Sequence, residues 1–258
     1  MLRPRVTPCL LVHENGLVKT RKFADPKYVG DPINAVRIFN EKEVDEIVVV
    51  DIDASVKQRA PNYELIKNLA AECRMPLCYG GGVTAAGEVA RIVGLGVEKV
   101  AISAAAIARP DLIREAASMV GSQSVVVVLD TARDSRGYQV MTHRGTRATG
   151  RTPAALAKQM EEAGAGEILI NSIDRDGTME GYDLELVRQV REAVGIPITV
   201  LGGAGSLEHI RELFARFGIL GAAAGSLFVF KGTYRAVLIN YPRRGERDRL
   251  ALAARGTT

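Results

Sequence analysis

Short apolar, β-branched runs recur along the whole chain, and each is followed by a stretch whose apolar residues fall at helical spacing. That alternation is the signature of parallel strands covered by helices. The runs predict eight strands, over residues 5–11, 46–51, 76–79, 99–103, 124–130, 167–171, 198–201 and 220–224. Between them, NYELIKNLAAEC repeats Tyr63, Ile66, Ala70 and Cys73 at helical intervals, and DLELVRQVREAV separates Leu184, Val187 and Val194 from Arg188 and Arg191. Ala, Ser, Thr or Asp residues open such stretches, and Gly or Pro closes several of them.

The two halves of the chain echo each other. VVVDIDAS ending at Ser55 matches ILINSIDRDG ending at Gly177, GGGVT from Gly80 matches GGAGS from Gly202, and KVAISAAAI from Lys99 matches LGAAAGSLF from Leu220. The offset is about 120 residues each time. A four-strand unit used twice closes into one eight-stranded barrel, so the predicted fold is a single (β/α)8 barrel with an internal two-fold half-barrel repeat. It is expected to occupy residues 1–242, with a basic, frayed tail over 243–258. A doubly wound open sheet is the alternative, but its GxGxxG fingerprint after the first strand is absent.

Composition changes this picture little. With 258 residues, 47% of them hydrophobic, the chain can bury one large core and is not a disordered protein. No apolar run reaches the roughly 18 residues of a membrane span, and the start shows no secretory pattern, so a cytosolic protein is expected. Cys9, Cys73 and Cys78 lack metal or redox spacing and read as reduced core thiols. The net charge of +4 gathers partly in RRGERDR after Pro242, which reads as a solvated terminus and not as a nucleic-acid surface. No metal and no organic cofactor is expected, since neither a ligand cluster nor a dinucleotide fingerprint is present.

In such barrels the chemistry sits at the carboxyl ends of strands. Glycines there let backbone amides approach a phosphate, and a following helix N-terminus favours the anion. Gly81 and Gly82 after the third strand, and Gly202, Gly203 and Gly205 after the seventh, fit this role, with Gly177, Gly225 and Ser226 in support. Two such cradles suit a ligand with a phosphate at each end. The alternative, that these glycines only turn tight corners, is weakened by their recurrence in both halves. Among strand-end carboxylates Asp51, Asp53, Asp130, Asp174 and Asp176, Asp130 is the candidate general acid or base because VVVVLD delivers it to the rim. Asp51 and Asp176 are candidate substrate contacts that could equally be loop caps. Lys19, after the first strand, is a candidate contact for an anionic substrate.

TPCLLV, VVVDIDAS, YGGGV, GSQSVVVVLD, TGRTP, GAGEILINSIDRDGT, GYD, LGGAGS and AAGSLF together resemble the cyclase subunit of imidazole glycerol phosphate synthase, over residues 1–240. The resemblance implies a class I glutaminase docked on the amino-terminal face, with ammonia passing through the barrel to the far rim. It implies a ring of charges at the inlet, which this chain keeps as Arg5, Glu46, Lys99 and Glu167 at the starts of alternate strands. Four charges on a barrel axis are costly unless mutually paired, which argues for a polar passage. The family's catalysis uses aspartates ending the first and fifth strands; Asp130 fills the second place, but Leu11 occupies the first. Leucine cannot transfer a proton, so ordinary cyclisation is expected to be impaired, with His13 the one candidate substitute. Ser103-Ala104 also departs from the family's Asn-Thr in one phosphate cradle.

The kept ring and altered rim, with PCLLVH, FADPKYVGDPINAV and MPLCYGGG, resemble a specialised group of these barrels in bacterial surface-polysaccharide pathways. That likeness implies work alongside a glutaminase and an ATP-dependent sugar amidotransferase, converting an N-acetyl group to an acetamidino group. The substrate would be a phosphorylated or nucleotide-linked small molecule. A histidine-pathway cyclase and a non-catalytic ammonia conduit are the competing readings.

Overall fold

The computed structural model describes residues 3–232 and 234–257. Among these, eight parallel strands form the barrel: β1 Arg5–His13, β2 Ile47–Asp51, β3 Leu77–Gly80, β4 Lys99–Ile102, β5 Val125–Asp134, β6 Glu167–Ser172, β7 Ile198–Leu201 and β8 Gly221–Ala224. They pair in chain order, and the pairing of β8 with β1, from Arg5↔Gly221 to Pro8↔Ala224, closes the cylinder. The single (β/α)8 barrel expected from the sequence is the fold.

Eight helices cover the outside: α1 Pro32–Glu41, α2 Tyr63–Glu72, α3 Ala86–Gly94, α4 Asp111–Val120, α5 Pro153–Glu162, α6 Leu184–Ala193, α7 Leu207–Phe217 and α8 Arg244–Ala253. Five of them begin on a side chain that accepts a hydrogen bond from an otherwise unpaired backbone amide, as Asp31 does from Asn34 N at 2.8 Å and Thr152 from Ala155 N at 3.3 Å. Strand residues alternate in direction. The outward set, such as Val6, Leu10, Val49 and Ile170, packs under the helices in the main core. The inward set, Cys9, Val48, Cys78, Ala101, Val126 and Leu169, forms a smaller apolar plug on the axis.

The tail departs from expectation. Residues 244–253 are the eighth covering helix, with Leu250 and Ala254 buried. The predicted fray counted basic residues without their partners: Arg247 pairs with Asp45 and donates to Glu43 O at 2.9 Å, and Arg3 pairs with Asp248. Charge that reads as solvated in sequence is neutralised at the amino end of the barrel.

β1 and β5 overrun their predicted ends because each turns straight into an antiparallel hairpin. Strand Gly16–Arg21 pairs with β1 and with Ala24–Gly30, and Gly137–Thr142 pairs with β5. The half-barrel repeat is visible in backbone detail. Gly81 (φ +122°) lies against Asp51 O and Gly202 (φ +96°) against Ser172 O, so closely that a Cβ on either would collide with that carbonyl. Among the described residues no helix is long and apolar enough to cross a membrane.

Candidate functional site

The carboxyl ends of the strands surround one cavity of about 580 Å³. Its wall contains Lys19, Asp51, Gly81, Gly82, Ser103, Asp130, Asp176, Gly177, Gly202, Gly203, Gly225 and Ser226. Twelve candidates chosen from separate motifs therefore meet in one place. Gly205 does not join them; it packs against Met179 O and donates to His209 Nδ1 at 3.1 Å. Ser103 and Ser226 open short helices, Ala104–Ala108 and Ser226–Val229, at matching places in the two halves.

Asp130 is the chemically distinctive group. Burial pushes its carboxyl up to about 6, against the pull of a hydrogen bond from Asn171 Nδ2 to Oδ1 at 2.9 Å; nearby Asp176 adds to the rise. A carboxyl poised there can accept or return a proton near neutral pH. Leu11 is on the same cavity wall, on β1, four strands round the barrel from β5. The position expected to hold a second acid thus faces the cavity with an apolar side chain.

His13 does not take that acid's place. Its Nδ1 is 2.7 Å from Asp53 Oδ1 outside the cavity wall. Asp53 is committed as well: although burial pushes its carboxyl up, donation from Glu14 N, His13 and Lys57 pulls it down to about 2. Asp174 accepts from Arg133 N at 2.8 Å and is also off the wall. Asp51 and Asp176 reach the cavity but spend oxygens on loop structure. Asp51 Oδ1 accepts from Asp53 N and Ala54 N, and Asp176 Oδ2 accepts from Thr20 Oγ1 and Phe23 N. The latter pair fastens the first hairpin to the β6 loop.

Lys19, on that hairpin, is buried and donates to Cys9 O over Gly225. Burial lowers the affinity of its amine for a proton, an effect opposed by Cys9 and Asp176. A cation held here by a carbonyl, and not by a carboxylate, keeps its charge available to an anion.

At the opposite end the four predicted charges form a closed ring. Arg5 reaches Glu46 at 2.7 Å and Glu167 at 2.6 Å; Lys99 reaches the same two carboxylates, each at 2.7 Å. They stand at the starts of the first, second, fourth and sixth strands, so the expectation of alternate strands is corrected: the shear of the barrel, not strict alternation, brings them level. Burial alone would raise Glu167, but Arg5 and Lys99 hold it below the usual glutamate range. On β1 the inward positions run Arg5, Thr7, Cys9, Leu11, and Cys9 already lines the cavity. One inward layer, including Thr7, Cys78 and Val126, separates ring from cavity.

Sequence reasoning missed Asn171, and also Phe23, His143 and Arg144, which the hairpins bring to the wall. Asn15-Gly16 was a usable signal for the first hairpin, whose turn has Glu14 at φ +49° and Asn15 at φ +64°. Among the described residues no group of three or more His, Cys, Asp or Glu side chains is arranged to hold a metal.

Fold and site define a (β/α)8-barrel protein with one glycine-lined cavity at the strand carboxyl ends and an ionic ring beneath it. A model of the histidine biosynthesis protein family matches residues 5–235, and the chain belongs to that family. It is similar to a provisionally named imidazole glycerol phosphate synthase subunit HisF of Leptospira borgpetersenii, 57% identical over 97% of this chain and 99% of the relative. A Pseudomonas aeruginosa protein provisionally named subunit hisF2 is 53% identical, over 94% of this chain and 97% of its own length. The imidazole glycerol phosphate synthase subunit HisF of Thermococcus onnurineus is 41% identical over 88% of this chain and 90% of its length.

Proposed function

We propose that this chain is the ammonia-accepting subunit of a glutamine-dependent synthase. A class I glutaminase docks at the amino-terminal face over the ring of Arg5, Glu46, Lys99 and Glu167. Ammonia enters there, follows the inward positions of the strands and reacts in the cavity beside Asp130. The observation that carries this reading is the alignment of a closed, four-charge ring with the cavity floor, one layer apart on the same axis. The names of the relatives support the same class of complex.

Within that class, the acceptor is the amide of an N-acetyl sugar carried on a phosphate or nucleotide. An ATP-dependent partner activates the amide oxygen. The lone pair of ammonia forms the new C–N bond, a proton passes to the Asp130 carboxylate, and the activating group leaves with the former amide oxygen, giving an acetamidino sugar for surface polysaccharide. Lys19 and the cradles at Gly81, Gly82, Ser103, Gly177, Gly202, Gly203, Gly225 and Ser226 hold the anionic part, with Asp51 and Asp176 shaping the floor of the loops. Leu11 supports this reading, because a cyclase that needs two opposed acids has one here. The relatives' names favour the other reading, a histidine-pathway cyclase.

Complementation separates them. A histidine auxotroph lacking its cyclase subunit, given this chain with its glutaminase, is expected not to grow without histidine. Growth would overturn the sugar reading. Reconstitution with the glutaminase and amidotransferase is expected to give product that depends on Asp130; product unaffected by Asp130→Asn would leave the chain a conduit only.

A further inference from the structure

Asn171 is an unusual amide. It lies on β6, paired in register with Asp130 on β5, is only 5% exposed and borders the cavity. Its Nδ2 donates to Asp130 Oδ1 at 2.9 Å, while its buried Oδ1 accepts from nothing among the described residues. The amide cannot turn over without setting Oδ1 against a carboxylate oxygen, so the orientation follows from the ionised state of Asp130. A buried acceptor left unmade destabilises the empty site, and a ligand's donor removes that cost. Gly202 keeps its own side chain off that acceptor: a Cβ there would lie 3.1 Å from Asn171 Oδ1.

We infer that Asn171 is a positioning residue for the nitrogen nucleophile, taking one N–H of ammonia on its amide oxygen while Asp130 takes another. The inference rests on the reading of ammonia as the nucleophile. Ammonia suits two neighbouring acceptors, since it offers three N–H groups and one lone pair. With two N–H groups held against the β5–β6 wall, the lone pair is directed into the cavity, where the acceptor lies. A single hydroxyl carries one O–H and satisfies only one of the two sites. The other charged groups on this cavity are Lys19, Asp51, Arg59, Glu88, Arg144 and Asp176, with His143 beside them; the test leaves all of them in place.

The test follows the Asp130 carboxyl by NMR in the full chain, titrated with ammonium chloride or with tetramethylammonium chloride at equal ionic strength. Ammonium, bound between Asn171 and Asp130, is expected to lower the Asp130 midpoint by roughly one pH unit, while the methylated ion, having no N–H, leaves it unmoved. In Asn171→Leu the unliganded midpoint is expected to rise, since a donor to the carboxylate is lost, and the response to ammonium to disappear. An equal ammonium response in both proteins, or none in either, overturns the proposal. In the reconstituted complex driven by ammonium chloride, the same variant is expected to raise KM for ammonia about three- to tenfold, with a smaller change in kcat. An NMR response without product would leave Asn171 in its role and remove the acceptor assigned above; product with an unchanged KM in Asn171→Leu would remove Asn171 and keep the acceptor.

Discussion

The two ends of the barrel axis treat charge in opposite ways. At the amino end every member of the ring touches two others of opposite sign, and nothing is left over. At the carboxyl end Asp130 has one side-chain donor, Asn171 Oδ1 has none, Lys19 leans on a carbonyl, and Arg144 makes no side-chain pair among the described residues. The floor is electrostatically complete without a ligand, whereas the mouth becomes complete only with one. Under the proposed function that difference fits a floor that admits a nucleophile and a mouth that does the chemistry.

The sharpest break of that contrast is Asp130→Asn. In the reconstituted complex, steady-state turnover is expected to fall about 10²- to 10⁴-fold, the usual worth of a general acid or base. With glutamine as nitrogen source, the wild-type rate should rise with pH through a midpoint near 6, the value to which burial pushes Asp130, and the variant should lose that limb. Stability should move the other way. Because the folded midpoint lies above the unfolded one, ionised Asp130 is a burden absent below pH 4 and fully present above pH 6. Removing it should raise the unfolding free energy at pH 8 by on the order of 1–3 kcal/mol, read from thermal unfolding, and change nothing at pH 3. A variant stabilised equally at both pH values would deny that the carboxyl is disfavoured by burial.

Lys99→Met tests the floor and should have the opposite signature. Glu46 and Glu167 are 5% and 7% exposed at their side chains, and each would keep only Arg5 as a charged partner, with Glu167 still accepting from Thr199 Oγ1. Breaking a buried pair costs about 3–5 kcal/mol, and the surviving Arg5 contacts place this change near the lower figure. Denaturant unfolding at pH 7 checks it. The exposed ladder of Arg188 with Glu185 and Glu192 on α6 has similar distances but no burial, so Arg188→Ala should leave the midpoint unmoved.

What the sequence disclosed divides along the same line. The eight strands were legible because a core on both faces makes each a nearly unbroken apolar run, and the glycine cradles because the repeat shows them twice. Arg5, Glu46, Lys99 and Glu167 were legible as charges at strand starts, but their mutual contacts depend on the shear of the barrel, which no single segment encodes. Asn171 was hidden for the same reason: its partner Asp130 is 41 residues away and is met through β5–β6 register. The C-terminal helix was misread because RRGERDR shows its charge in sequence, while Asp45 and Glu43, which answer Arg247, come from the β2 approach.

Only a small effect on stability should come from the largest change to the floor. Replacing the whole ring, with Arg5→Met, Glu46→Leu, Lys99→Met and Glu167→Leu together, leaves no buried charge without a partner. The desolvation cost of four ions and their attraction then vanish together, so the unfolding free energy should stay within about 1–2 kcal/mol of the parent, far closer than Lys99→Met alone. Function should part from stability at that point. Glutamine-driven synthesis should fail because the charged entrance proposed to admit ammonia is gone. Synthesis driven by ammonium chloride, supplied through the open mouth, should persist. A stable quadruple variant that still used glutamine would show that nitrogen does not enter through the ring, whatever the ring contributes to the fold.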